Sequence, residues 1–356
     1  MSEKCVRNSS IELLRIVALF MVIMIHYANQ LLKLIDNDFN YHTLLFLRSL
    51  SSPAVDIFLL ISGYFMVTSN TRYVGKPLSL LLQVVYRNLI IFSLLLLFGY
   101  LTFNFKSLLF YLVPMSYYPL LFVVVYLISP YINMMLLQLK KISDKALRTF
   151  CLILFFLFSV YPTMTDFAQE LFHYEWFGLN SIGAWGDQQG FNIINFMLLY
   201  IIGGGAIRLL DIKIKRVSIL KYIFICFIAI FVFSEVCEHT CFKGMRSSWI
   251  YCNPLVIIFS ILLFCLFRCY KFESNIVNKV ATYVYMTFLI HSSVISNFDI
   301  GLTYIANGSI VVLILHYLLF SIIMLAMSSV ILSVYNYIWK YVPEQIKSKR
   351  IDYSII

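Results

Sequence analysis

Charge is what this sequence has least of: Asp, Glu, Lys and Arg make up only 12% of its 356 residues, about half the share found in an ordinary globular domain. So few charges cannot solvate the surface of a soluble protein this size. Paired cysteines are missing too. The eight cysteines contain no CxxC, and Cys151, Cys226, Cys252, Cys265 and Cys269 fall in or beside apolar runs where cysteine packs as a small hydrophobe. Neither a redox centre nor a structural zinc site is supported, and no metal is expected. No hydrophilic stretch is long enough for a second, soluble domain. The start, MSEKCVRNSS, lacks a small-residue cleavage site before the apolar stretch behind it, which therefore reads as a retained first span.

What the chain has in abundance is apolar sequence, 61% hydrophobic with a mean hydropathy of +0.87. At about 20 apolar residues per crossing, spans are expected at 11–34, 53–70, 77–102, 118–138, 147–163, 191–210, 218–236, 250–270, 278–297 and 309–335. The piece 107–114 is too short to cross. The expected fold class is thus all-α, a polytopic integral membrane protein with about ten transmembrane helices, placed in the cytoplasmic or inner cell membrane. The net charge of +10 comes from short basic clusters between the apolar runs, the pattern of juxtamembrane anchors rather than of a nucleic-acid surface. Most of those clusters fall on the side of the N-terminus, among them Arg72 with Lys76, Lys140 to Arg148, Arg208 to Lys221, and Lys340 to Arg350. The opposite side holds only Lys33, Arg48, Lys106, Lys243 and Arg246, and the loop 163–190 has no Lys or Arg. The positive-inside rule then puts both termini in the cytoplasm.

Ionisable residues inside such spans cost at least about 3 kcal/mol each, so they face a polar interior or a ligand. Six fit: Arg15, His26, Asp56, Arg87, His291 and His316. Arg15 and His26 are eleven residues apart, close to three full turns, so both point the same way about 16 Å apart along the axis. That separation is close to an extended pantetheine arm, very roughly 15–20 Å from pyrophosphate to thiol in coenzyme A. Arg15 either snorkels to the inner interface or forks onto phosphate. His26 either bonds a neighbouring helix or works as base or acyl carrier. Asp56 either orients that imidazole or caps its own helix. Arg87 is a second phosphate or thioester contact, or a structural ion pair with a group such as Glu12. His291 lies in the outer half of the ninth span, whereas His316 stands alone in an apolar run and reads as structural.

Five stretches, in order, resemble the membrane-bound acyltransferase 3 family: IELLRIVALFMVIMIH, with Arg15 and His26; PAVDIFLLISGYFM, with Asp56, Ser62, Gly63 and Tyr64; SYYPLLFVVVYLISPYIN, with Tyr117 and Tyr118; GFNIINFMLLYIIGGGAIR; and TYVYMTFLIH, ending in His291. The chain departs from the family pattern in having only Arg87 where an Arg-x-x-Arg pair is common, and Tyr where Trp is usual at 117 or 118. No hydrolase-like domain is expected after the last span, since the stretch behind Trp339 is short and basic. The division expected is a transmembrane acyltransferase domain over 1–340 and a short basic cytoplasmic tail over 341–356. The resemblance implies an O-acetyltransferase that takes acetyl-coenzyme A as donor, without metal, and a hydroxyl of a surface or lipid-linked polysaccharide (capsule, exopolysaccharide or O-antigen) as acceptor. It implies Arg15 and Arg87 on the donor, His26 and Asp56 in catalysis, and Tyr117, Tyr118 and His291 on the acceptor.

Three weaker signals stand beside these. Tyr117, Tyr118, Trp176, Trp185 and Trp249 either stack on sugar rings or form an interfacial aromatic belt. Cys237 and Cys241 are spaced for a disulfide or for two thiols on one helix face. Gly203, Gly204 and Gly205 suit close helix packing, or less strongly a phosphate nest. The rival functions are a polysaccharide polymerase or other glycosyltransferase, which calls for larger and more basic outer loops, and a lipid-linked glycan transporter, which calls for internal repeats that this sequence does not show.

Overall fold

The computed structural model describes residues 8–172, 192–239 and 250–353. Among these there is no strand, and the chain runs through sixteen α-helices: α1 (Ser9–Leu31), α2 (Asp38–Ser51), α3 (Ala54–Met66), α4 (Gly75–Leu97), α5 (Phe105–Leu112), α6 (Tyr117–Ile142), α7 (Asp144–Phe155), α8 (Tyr161–Phe172), α9 (Ile193–Ile201), α10 (Arg216–His239), α11 (Pro254–Arg268), α12 (Asn275–Ala281), α13 (Val284–Asn297), α14 (Leu302–Ile305), α15 (Ile310–Trp339) and α16 (Glu344–Lys347). Two π-helical stretches, Phe156–Val160 and Ile202–Leu209, join α7 to α8 and extend α9. Among the described residues seven helical segments are long and apolar enough to cross a membrane, namely Ser9–Leu31, Asp38–Met66, Gly75–Leu97, Phe105–Ile142, Asp144–Thr165, Arg216–His239 and Ile310–Trp339. Ile193–Leu209 and Pro254–Arg268 are shorter apolar helices. The protein is a multi-pass membrane protein, with bare apolar rows such as Phe224, Leu315, Leu319 and Ile322 on the outward faces of α10 and α15.

The local signals are ordinary. Side chains of Asn8, Asn37, Asn192, Asn253, Ser274 and Ser309 each accept a hydrogen bond from a backbone N–H in the first turn of α1, α2, α9, α11, α12 and α15. Two stretches depart from the expected spans. The segment 35–52, an outer connection between the first two expected spans, holds α2, broken from α3 at Pro53, and Arg48 is buried there beside Glu238 at 3.6 Å. Its polar residues, NYH and RS, dilute the apolar run below span length, although α2 and α3 together make a 29-residue candidate crossing. The expected ninth span is two helices, α12 and α13, separated at Thr282 and Tyr283.

At the centre, α1 packs against α2, α3, α11, α12 and α13, while α3 is wedged between α1, α9 and α11. The wedge depends on glycine. A Cβ on Gly63 would sit 2.1 Å from the Tyr200 carbonyl oxygen, and one on Gly203 would sit 2.3 Å from that of Leu60. The glycine run therefore serves close packing, as one of its two readings held. Arg72, placed by sequence among the loop anchors, is buried instead: its Nε donates to Ser129 Oγ at 2.8 Å, and with Asn133 it binds the Met66 and Ser69 carbonyls that end α3. Nor does the basic tail hang free. Val74 N donates to Lys349 O at 2.9 Å, Ile351 N to Arg72 O at 2.9 Å, and Tyr353 Oη to Leu127 O at 2.8 Å, docking the described part of the tail against the entry to α4.

Because both partners at the glycine crossing are backbone atoms, neither can move aside for a side chain. Gly203→Val is expected to destabilise the fold by about 2 kcal/mol or more, read as a lower Tm in detergent, whereas Gly99→Ala, where a Cβ meets open space and only the left-handed φ of +73° opposes it, should cost about 1 kcal/mol; equal Tm for Gly203→Val and wild type would refute the packing role.

Candidate active site

The site is built on two helices, α1 and α4, that are joined through α13, which packs against both. Arg15 and His26 lie on α1 with the expected eleven-residue interval, and α4 repeats that interval with Lys76 and Arg87. The result is two layers about three helical turns apart. The lower layer opens into a cavity of about 260 Å³ lined by Arg15, Lys76, Ser62, Tyr118, Tyr285 and Phe288, with Phe58, Ile61, Leu80, Phe122, Ala281 and Val284. Glu12 takes one terminal nitrogen of Arg15, at 3.0 and 3.1 Å, leaving the rest of the guanidinium open toward the cavity mouth. Lys76 is exposed and, among the described residues, faces no carboxylate; the charges nearest it are Arg15 and Arg72. A mouth with two cations and one carboxylate is suited to an anion.

Aromatic rings separate the layers. Phe288 lines the cavity and packs on Tyr118, with ring centroids 5.0 Å apart, and on the His291 ring at 5.9 Å. Tyr118 is buried against Phe58 and Phe196 as well. Tyr285 Oη donates to the Leu80 carbonyl at 3.2 Å, tying α13 to α4. Val284, Phe288 and His291 are spaced as i, i+4, i+7 and so form one stripe along α13 from the cavity to the upper layer.

In the upper layer the His26 and His291 rings meet edge to face with centroids 5.0 Å apart. His26 is half-buried and His291 fully buried. The His291 Nδ1 lies 3.1 Å from the Thr287 carbonyl oxygen, which can only accept, so Nδ1 carries the proton and the buried Nε2, which has no partner, is a bare acceptor. Two residues along α13, Ser293 Oγ accepts from Arg87 Nη1 at 2.5 Å, and Arg87 Nε is buried without a partner.

Several expected roles shift with this geometry. Arg87 joins the histidine layer rather than the Arg15 cavity, which favours its thioester reading over its phosphate reading, and Glu12 pairs with Arg15, not Arg87. Asp56 is fully buried and accepts from Ser260 Oγ at 3.4 Å; none of its described hydrogen bonds reaches His26, and the ring that meets that imidazole is His291. His291 is fully buried and lies outside the cavity lining. Tyr118 lines the cavity, while Tyr117 lies outside its lining and is exposed. His316 is structural as expected, with Nδ1 2.9 Å from Tyr27 Oη. Trp176, Trp185, Trp249 and Cys241 lie outside the described residues. Lys76, Ser293, Tyr285 and Phe288 were not foreseen. The repeated eleven-residue interval in α4 was the available signal for Lys76, hidden because that lysine stands where an interfacial anchor also would.

A sequence model of a family described as an acyltransferase domain matches residues 8–341. No curated protein and no solved structure matches the chain.

Arg87 is a buried cation with a hydroxyl and no described carboxylate against it, an arrangement that costs stability and is retained for another reason. Arg87→Met is therefore expected to leave Tm unchanged or raise it, and Ser293→Ala, which strands the guanidinium, to lower stability by about 1–3 kcal/mol; the reverse order of Tm values would show Arg87 to be a structural residue.

Proposed function

The chain belongs to this acyltransferase-domain family, and on that premise we propose that it moves an acetyl group from cytoplasmic acetyl-coenzyme A to a hydroxyl of a cell-surface or lipid-linked polysaccharide, of the capsule, exopolysaccharide or O-antigen kind. The observation that carries this reading is the pair of eleven-residue intervals, Arg15 to His26 and Lys76 to Arg87, whose first members share one cavity and whose second members both meet α13. Each spans about 16 Å, the reach needed if phosphate is held at one layer and a thioester presented at the other.

Arg15 and Lys76 bind the phosphates of the donor from the cytoplasmic side, where both termini also lie. The pantetheine arm runs past Tyr118, Tyr285 and Phe288. His26 accepts the proton of the acceptor hydroxyl as its oxygen attacks the thioester carbonyl; the C–S bond breaks, and the departing thiolate takes a proton back from the imidazole. In the carrier form of the same chemistry the imidazole nitrogen itself takes the acetyl group from sulfur and passes it to the hydroxyl oxygen. His291, edge to face on the His26 ring, holds the plane of that imidazole. Arg87 stabilises the negative charge that develops on the carbonyl oxygen.

Three measurements test the reading. With labelled acetyl-coenzyme A and the host's surface glycan, His26→Ala should lose at least about 100-fold in transfer; full O-acetylation by this variant would end the catalytic assignment. Lys76→Gln and Arg15→Gln should raise the donor KM about tenfold or more with a smaller change in kcat, so unchanged donor KM in both would remove the phosphate role. Ala281→Phe, which places a ring in the cavity, should fold with a Tm near wild type and transfer acetyl at less than roughly a tenth of the wild-type rate; full activity would put the donor elsewhere.

A further inference from the structure

A second cluster sits away from this site, at the end of the bundle where α1 gives way to α2. There His42 of α2 meets Glu235 and His239 of α10. Glu235 and His239 are one turn apart on the same face of α10, and His42 reaches them from a helix 193 positions earlier in the chain. His42 Nδ1 is 2.8 Å from Glu235 Oε2, and His239 Nε2 is 3.5 Å from that same oxygen. The two imidazole rings lie 5.4 Å apart at 34°.

We propose that His42, Glu235 and His239 form a binding site for a divalent transition metal, of which Zn²⁺ is the best match, bracing α2 against α10. Three observations carry it. Two imidazole nitrogens and a carboxylate oxygen lie within 4.8 Å of one another, and a tetrahedral ion with bonds near 2.1 Å holds its ligand atoms about 3.4 Å apart, so small side-chain rotations close the set. Two histidines from different helices converge on one carboxylate oxygen, where a simple ion pair requires only one. The neighbouring acid does not compete, because Glu238 is held by Tyr41 Oη at 2.9 Å and lies beside Arg48 at 3.6 Å. Glu235 is left to the two imidazoles. Nitrogen and oxygen donors in this number suit Zn²⁺ with a water in the fourth position, whereas Ca²⁺ and Mg²⁺ ask for more oxygen ligands. The absence of metal expected from the cysteine pattern does not bear on this cluster, which contains no cysteine.

The test uses the full chain in detergent with its affinity tag removed and chelator dialysed away. Titration with Zn²⁺ should give about one equivalent per chain, and Co²⁺ in its place should give the visible absorption of a four-coordinate site. His42→Asn and Glu235→Gln should each weaken Zn²⁺ binding by roughly 100-fold and abolish the Co²⁺ band, while Zn²⁺ should raise Tm in wild type alone. If His42→Asn proves misfolded by size exclusion, His239→Asn at the exposed end of α10 serves in its place. A wild-type chain that takes up no Zn²⁺, or variants that bind it as tightly as wild type, would overturn the proposal.

Discussion

A cation held within a membrane bundle has to be answered by a carboxylate, by backbone carbonyls, by water or by a ligand, and this protein leaves that demand only partly met. Glu12 answers part of Arg15; Lys76 has the face of the Tyr126 ring at 5.3 Å and no described carboxylate, and Arg87 has a hydroxyl alone. The helices around these three residues are arranged so that the first two share an open cavity and the third meets the histidine layer. That division gives the bundle a polarity, with an anion-seeking mouth at one level and imidazole chemistry three turns away.

The packing that holds the levels in register is backbone against backbone. At the crossing of α3 with α9 and its π-helical extension, Gly63 and Gly203 bring main chains to a distance at which no side chain fits. This places Phe58 and Ser62 against the cavity and lets Tyr118 and Phe196 close on each other behind them. The end of α3 is then fastened by Arg72 and Asn133, and Tyr200 Oη donates to Asn133 Oδ1 at 2.8 Å, joining α9 to the same network. The returning tail covers the segment between Arg72 and Lys76, so the entrance to α4 is fixed from both sides.

Much of this was legible in the sequence. Long apolar runs located the principal helices, the interval from Arg15 to His26 showed that both share a face, and five ordered motifs gave the family. What escaped did so for physical reasons. α2 was hidden because a helix carrying Asn40, His42 and Arg48 does not look apolar even when it is packed against α1 and α10. Lys76 was hidden because a lysine at the start of a span looks the same whether it snorkels to the interface or lines a cavity. The shift of the imidazole's neighbour from Asp56 to His291 was beyond reach, since depth along a helix is readable from sequence whereas azimuth relative to another helix is set by tertiary packing. For the same reason His42, Glu235 and His239, drawn from two distant helices, form no motif.

The central claim is that one donor molecule bridges the two layers, and imaging a bound donor tests it most directly. A cryo-electron microscopy map of the protein with a non-transferable thioether analogue of acetyl-coenzyme A should show the pyrophosphate between Arg15 and Lys76 and the sulfur beside His26, with the arm passing Phe288. An analogue bound with its phosphates away from Arg15 and Lys76, or with its sulfur on the far side of the aromatic rings from His26, would contradict the account.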